Sequence, residues 1–424
     1  MTVIGAAQVE GAAGQGSLSV GPRDVVTPLA AERARELGVQ IVRQEQSPTA
    51  DGRNPTSPAA AGRGPARAPS RAPRSTPALS QDRPPPLPRP PSGALYRRGA
   101  PLPAGLADRG AAAPPGRVVV IGAGHVGMIT AMRLADADLF GEIVLVDIDE
   151  GRAAGIALDL THTAALSGFA TQLRGVASVE EAGPADYVVL TAGRPRQPGM
   201  SRSDLLAVNA AIVGDLAERT ARVSPRAVIV VVTNPLDEMT QHAWIRSGFP
   251  PERVVGMAGL LDTARFQALT ALTGAGRADR IRAMALGSHG EEMVIPLSQA
   301  TVDGRPLTAV VDGRTVEGIV DRARGSGAEV VGLLKSGSAF MAPGMSAARM
   351  VLAMARETGE VLPASVLADG SYGIHDVYVG LPVRLGRSGV AEIIQVDLAP
   401  EELTALRAAA DRIRERVGDL APAS

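Results

Sequence analysis

The sequence predicts an α/β protein, a doubly wound parallel sheet followed by an α+β domain and preceded by a disordered extension. Three observations carry this. From Arg117 onward, short β-branched runs ("RVVVI", "EIVLVDI", "DYVVLTA", "AVIVVVT", "RVVGM") alternate with segments of helical period. Apolar strands separated by helices form a parallel sheet covered on both faces. After about residue 280 the strand-like runs lengthen and alternate, as in "RIRAMALGSHGEEMVIPLSQATVDGRPL". Third, 19 of the 33 prolines fall in the first 116 residues, where "DRPPPLPRPPSG" can sustain neither helix nor ladder.

Taken in order, residues 1–44 hold one amphipathic island, "VVTPLAAERARELGVQIVRQ". Thr27 is placed to cap a helix that opens on Pro28, and Gly38 to stop it. Ala30, Ala34 and Leu37 recur at helical spacing beside Leu29, with Val39, Ile41 and Val42 as a short strand-like piece. A helix this short and isolated docks on something or frays. Residues 45–116 form a Pro/Arg/Gly-rich linker with ten arginines against four acidic residues, a local charge of +6. It has too little apolar surface to offset ordering, so disorder is expected. A dinucleotide-binding domain is expected over 117–259 and an α+β substrate domain over 260–424, closed by the helix "EELTALRAAADRIRERVGDL" packed back on the fold.

Composition narrows the function. With a net charge of −1, nothing points to nucleic acid or a membrane surface. The absence of cysteine excludes a disulfide framework, a thiol nucleophile and a thiolate metal site. No His/Asp/Glu group has metal-ligand spacing, so no metal is expected. No apolar run approaches the roughly 18 residues that span a bilayer, and the N-terminus lacks a secretory pattern. A cytoplasmic setting follows. Nearly every basic residue is arginine, Lys335 being the one lysine, so a lone arginine carries little meaning.

Gly122, Gly124 and Gly127 follow a strand and open a helix in G-x-G-x-x-G spacing, and a second strand ends at Asp147. This is the Rossmann fingerprint: a tight turn, a close approach of pyrophosphate, close helix packing, and a carboxylate for the adenosine ribose. The helix N-terminus faces the phosphates. Asp147 repels a 2′-phosphate, so NAD is expected rather than NADP. His125 and Val126 lie in the loop beside the cofactor, and His125 is read as a non-catalytic neighbour.

Ligands of an open α/β sheet bind outside the carboxyl ends of the strands. "TAGRPRQPGMSRSDLL", "TNP" and "GLLDTARF" all follow strands there. Asp262 and Arg265 are three apart on one helix and share a face. A guanidinium there can hold a carboxylate by two parallel hydrogen bonds. His289, in the Gly-flanked "GSHGEE", suits a proton donor and acceptor, and Asp262 is the candidate carboxylate for its other nitrogen.

Together these stretches, with "VVVTNPLDEMT" and "SYGIHDVYVGLPVRLG", resemble the lactate/malate dehydrogenase family over roughly residues 117–420, in particular its lactate-dehydrogenase-like malate dehydrogenases. The resemblance implies an NAD-dependent dehydrogenase, a homodimer or homotetramer acting on a small dicarboxylate, malate or oxaloacetate. His289 then donates and accepts the proton with Asp262 as its partner. Arg265 takes the substrate carboxylate, Asn234 binds near substrate and nicotinamide, and Arg202 on a mobile loop polarises the carbonyl. Thr191, Asn209, Val232 and Asn234 join the cofactor contacts. Arg196 stands where the family discriminates the substrate's far end, an arginine meaning a second carboxylate. The loop is then a lid, with Pro198 and Gly199 as its stiff and hinge-like parts. His375, His162 and His242 are read as non-catalytic.

Two other readings stay open at this point: a lactate-type or mixed 2-hydroxy-acid dehydrogenase, and a nucleotide-binding module without chemistry. The stretch "VVTPLAAERARELGVQIV" also resembles short segments attached to enzymes of bacterial microcompartments, which implies a shell-docking role for residues 25–44 and a place inside such a compartment.

Overall fold

The computed structural model describes residues 3–21, 24–43, 116–195, 202–290, 292–335 and 337–418. The expected linker lies outside the described residues except for Gly116.

The N-terminal segment repeats one small unit. Strand β1 (Val3–Ile4), helix α1 (Ala6–Gly11) and strand β2 (Ser17–Val20) are followed by β3 (Val25–Val26), α2 (Pro28–Glu36) and β4 (Gln40–Arg43). Like pairs with like: β1 lies parallel to β3 and β2 parallel to β4, with Val3 opposite Val25 and Leu18 opposite Ile41. Thr27 caps α2 by accepting the Ala30 amide at 3.1 Å, and Gly38 turns the chain out of it at φ 66°. The expectation of an isolated island is therefore corrected. Ala30 and Ala34 are buried against Val9, Ala12 and Val39, so the first copy supplies the apolar surface that a lone short helix lacks. That first copy, "VIGAAQVEGAAGQGSLSV", is too rich in glycine and alanine to show a helical stripe.

The main sheet begins with β5 (Arg117–Ile121), α3 (His125–Asp136), β6 (Glu142–Val146), α4 (Glu150–His162), the one-turn α5 (Ala164–Ser167) and β7 (Gln172–Val176). It continues through α6 (Val179–Ala182), β8 (Tyr187–Leu190), α7 (Arg202–Val223), β9 (Val228–Val231), α8 (Leu236–Ser247), β10 (Val254–Gly256) and α9 (Gly259–Leu272). These strands run parallel in the order β7-β6-β5-β8-β9-β10. Their residues are apolar almost throughout because helices cover both faces: Val118, Val120 and Leu145 look into one core, Val119, Ile121 and Leu190 into another. The order reverses between β5 and β8, which opens a crevice at their carboxyl ends.

The second half starts with β11 (Ile281–Arg282), β12 (Leu286–Gly287), β13 (Met293–Val294), β14 (Thr301–Val302) and β15 (Arg305–Pro306). Then come α10 (Gly313–Leu334), α11 (Met341–Arg356), β16 (Val361–Asp369), β17 (His375–Gly386), β18 (Gly389–Ile393) and α12 (Pro400–Gly418). The long strands expected between residues 280 and 306 are corrected to two-residue pieces. Gly287, Gly290, Asp303 and Gly304 have positive φ there and break the ladder. The long strands are β16 and β17, of 9 and 12 residues. β16 pairs antiparallel with β10, so one eleven-stranded sheet joins the two halves.

The N-terminal unit rests on α10. A Cβ on Gly325 would lie 3.0 Å from Val3 and one on Gly332 3.4 Å from Val25, so these two glycines, two turns apart, receive β1 and β3.

Candidate active site

Every β-strand from β5 to β10 delivers its carboxyl end to one edge, and the glycine turn, Asp147, Thr191, Val232 and Asn234 lie at or just after those ends. After β5, Gly122 adopts φ 104°, and a side chain on it would meet Thr191 Oγ1 at 2.6 Å. A Cβ on Gly127 would lie 1.9 Å from the Gly122 carbonyl oxygen, so α3 packs onto the turn only with glycine there. Gly124 differs. Its φ is −73°, and nothing lies within 4 Å of where its Cβ would be. Among the described residues no contact asks for glycine at this exposed position at the N-cap of α3, whereas a pyrophosphate against that helix end would.

Asp147 follows β6 and is half-buried. One oxygen accepts the Ala123 amide at 2.8 Å and the other the Asp149 amide at 3.0 Å, so the carboxylate is fastened to the glycine turn with lone pairs left for ribose hydroxyls. The next side chain, Ile148, is fully exposed at 100%, an apolar surface beside the carboxylate where an adenine ring could lie. His125 opens α3 exposed, its ring 4.9 Å from that of Phe340, and Val126 is half-buried. These features fit a dinucleotide.

The ends of β8 and β9 are cross-tied. Thr191 donates its hydroxyl to the Ile121 and Gly122 carbonyls, and Val232 donates its amide to Leu190. Asn209, 1% exposed on α7, accepts the Arg194 amide and donates to the Arg194 and Asn234 carbonyls at 3.1 and 2.6 Å. Its amide is thus spent on backbone: Asn209 holds two ligand-facing segments together instead of offering a free group. Asn234 itself is exposed.

Asp262 is in the first turn of α9 and 1% exposed. Its Oδ2 stands 2.8 Å from His289 Nδ1, and its Oδ1 accepts from Arg265 Nη1 at 3.0 Å. Burial opposes its charge, but His289 and Arg265 outweigh that and hold its carboxyl below the usual range. His289, with a side chain 15% exposed, moves the other way. Burial opposes its cation and Asp262 prevails, raising the imidazole above its ordinary value. Nδ1 being taken, Nε2 is the nitrogen left for a substrate. Among the described residues Arg265 has one hydrogen-bond partner, Asp262, and Gly327 on α10 leaves room beside its Nη2.

Two expected residues are not part of this picture. Arg196, with Pro198 and Gly199, lies outside the described residues, and of Arg202 only the backbone is described, as the first residue of α7. Among the described residues no cluster suited to a metal ion exists, and no helix is long and apolar enough to cross a membrane.

The expectations passed over a buried carboxylate behind the histidine. Asp237, in the first turn of α8, accepts the His289 amide at 2.9 Å and the Ser365 hydroxyl at 2.7 Å. Burial, then neighbouring Glu238, push its carboxyl up to about 6. The signal was present in "NPLDEMT": two adjacent acids in an apolar run are seldom buried without partners.

Known proteins resemble this chain in sequence and in fold. Residues 116–256 match the family model described as lactate/malate dehydrogenase, NAD binding domain, and residues 260–421 the model for its alpha/beta C-terminal domain. The malate dehydrogenase of Thermomicrobium roseum is 48% identical over 301 residues, covering 71% of this chain and 97% of the relative. That of Chloroherpeton thalassium is 43% identical over 299 residues, covering 70% and 96%. Among solved structures, the malate dehydrogenase from Salinibacter ruber superposes with a TM-score of 0.69 at 39% identity, covering 72% of this chain and 97% of that one. The lactate dehydrogenase of Cryptosporidium parvum, complexed with lactic acid and nicotinamide adenine dinucleotide, gives 0.69 at 34%, covering 72% and 98%. A glycine turn at the switch point, a carboxylate tied to it, a His–Asp–Arg cluster at the same edge and these matches agree, and the chain belongs to the lactate/malate dehydrogenase family.

Proposed function

We propose that this protein is an NAD-dependent malate dehydrogenase, interconverting (S)-malate and oxaloacetate. The observation that carries the reading is Asp262 bridging His289 Nδ1 and Arg265 Nη1, which fixes a proton carrier and a carboxylate receptor on one buried acid. Bound NAD supplies the two-electron oxidant. His289 Nε2 takes the proton of the substrate hydroxyl, and Asp262 stabilises the imidazolium that results. Arg265 grips the carboxylate next to the reacting carbon by a forked pair of hydrogen bonds. Arg202, at the start of α7, is assigned to the carbonyl oxygen, where a cation offsets developing charge. Asn234 borders the substrate and the nicotinamide, and Val232 and Thr191 support the cofactor through backbone.

Malate is favoured over lactate because the sequence carries Arg196 between β8 and α7. A methyl group opposite it would leave the guanidinium desolvated and unpaired. Asp147 favours NAD over NADP. The test is NADH oxidation with oxaloacetate against pyruvate, repeated with NADPH. A pyruvate preference would replace malate by lactate, and equal rates with NADPH would remove Asp147 from its role.

The protein is assigned to the cytoplasm as a homodimer or homotetramer. The exposed Leu158 and Leu166 support self-association: they lie at 58% and 87% exposure in α4 and α5. For residues 25–44 we retain docking to a microcompartment shell. Since Ala30 and Ala34 face inward, the surface left for a shell protein is Leu37 and Val42, 37% and 45% exposed.

A further inference from the structure

His289 sits in the turn between β12 and β13, which the Gly287–Met293 pair and the Met293 amide on the Gly290 carbonyl close at its base. Gly287 and Gly290 flank it at φ 78° and 106°, so its backbone has few intrinsic restraints. One side of the turn is anchored by Asp237. The other is held from the far end of the chain. Arg416, in the last turn of α12, donates from all three of its nitrogens: Nε to Glu238, Nη1 to Glu292 at 2.9 Å, and Nη2 to the Ser288 hydroxyl at 3.0 Å. Arg412, one turn earlier, pairs with the other Glu292 oxygen at 2.8 Å. Ser288 and Glu292 bracket His289, and Glu238 is next to Asp237 on α8.

One guanidinium thus joins three elements: the first turn of α8, the histidine turn and the C-terminal helix. Its side chain is 16% exposed and that of Glu238 2%. A buried ion pair contributes little net stability compared with a packed apolar pair, and its attested use is to fix registry. A planar fork suits this because it sets the angles between its partners.

We propose that Arg416 is a positioning residue, which holds the histidine turn against α8 so that Nε2 of His289 faces the substrate hydroxyl. The proposal rests on the assignment of His289 made above. The rival account is that Arg416 only neutralises Glu238. The two part in the double variant Glu238→Leu/Arg416→Met, which removes the buried charges together and the tie with them.

Wild type, Arg416→Met, the double variant and Ser288→Ala are compared by Tm, by kcat and KM for oxaloacetate, and by the NMR signal of the His289 Nδ1 proton. Arg416→Met should lose both Tm and turnover. The double variant should regain Tm while kcat stays roughly tenfold to 100-fold low, the scale of a sub-ångström to 1 Å misplacement. Its Nδ1 proton signal should broaden as the bond to Asp262 loosens. Ser288→Ala, which deletes one tie and no charge, should lower kcat severalfold with Tm and KM unmoved. Wild-type kcat with a sharp Nδ1 signal in the double variant, or in Ser288→Ala, overturns the proposal. Wild-type inactivity toward oxaloacetate would defeat the functional reading instead, and the NMR signal would still report on the turn.

Discussion

His289 and Asp262 meet at 2.8 Å, Nδ1 to Oδ2, inside a site where the carboxylate is almost fully buried and the imidazole nearly so. The pair favours its charged form, since the imidazole is raised and the carboxyl lowered. The aspartate thereby sets which nitrogen works and over what pH it works.

With His289 as the proposed proton donor, oxaloacetate reduction calls for its protonated form. Its rate should hold above the ordinary histidine value of about 6.5 and fall as pH rises through the raised value, while malate oxidation rises over the same span. In Asp262→Asn the cation loses its partner, so both limbs should move to lower pH. A profile of kcat/KM against pH checks this, and an unmoved limb would separate the limb from His289.

Asp237 gives a stability prediction of opposite sign to a usual ion-paired acid. Its carboxyl is raised to about 6 in the folded state, so its favourable contribution is complete at low pH and is lost as pH rises through that value. Asn can still accept the His289 amide. Asp237→Asn should therefore gain stability relative to wild type between pH 4 and pH 7, by about 2 kcal/mol, most of it below pH 6. Urea unfolding at the two pH values measures it, and a difference that does not grow with pH contradicts the buried-charge account.

Arg196→Gln should move the oxaloacetate-to-pyruvate ratio of kcat/KM toward pyruvate by about two orders of magnitude, from the loss of a charge-assisted pair worth ~3 kcal/mol. An unchanged ratio assigns discrimination elsewhere.

The N-terminal unit contacts α10 through Val3 at Gly325 and Val25 at Gly332, and Gly327, which borders Arg265, lies about 200° around that helix from Gly325. Deleting residues 1–116 should leave turnover within about twofold and cost modest stability, since it uncovers Gly325 and Gly332. A fusion of residues 1–60 to a fluorescent protein, in the source cell with shell genes present, should form foci that Leu37→Glu disperses. Diffuse fluorescence in both forms removes the docking role.

Much of this was legible because strands and turns announce themselves locally. The β-branched runs gave the parallel strands, and glycine spacing followed by Asp147 gave the cofactor turn. His289, Asp262 and Arg265 were readable as chemistry-bearing types, although 27 residues separate the first two. What stayed hidden depends on distant pairing. The first N-terminal copy has no helical stripe of its own and folds because the second covers Val9 and Ala12. The adjacent acids of "NPLDEMT" hint at burial, but the partner of Asp237 is Ser365, 128 residues on, which no local pattern names. The short strands of residues 281–306 misled because alternation persists through glycines whose positive φ stops the ladder.

The most direct test of the account is His289→Asn, measured for NADH binding and for oxaloacetate-dependent NADH oxidation in the same preparation. NADH affinity should stay within a few-fold of wild type while turnover falls by about a thousandfold or more, the proposed general acid being gone. Turnover near the wild-type rate with NADH still bound would contradict the account.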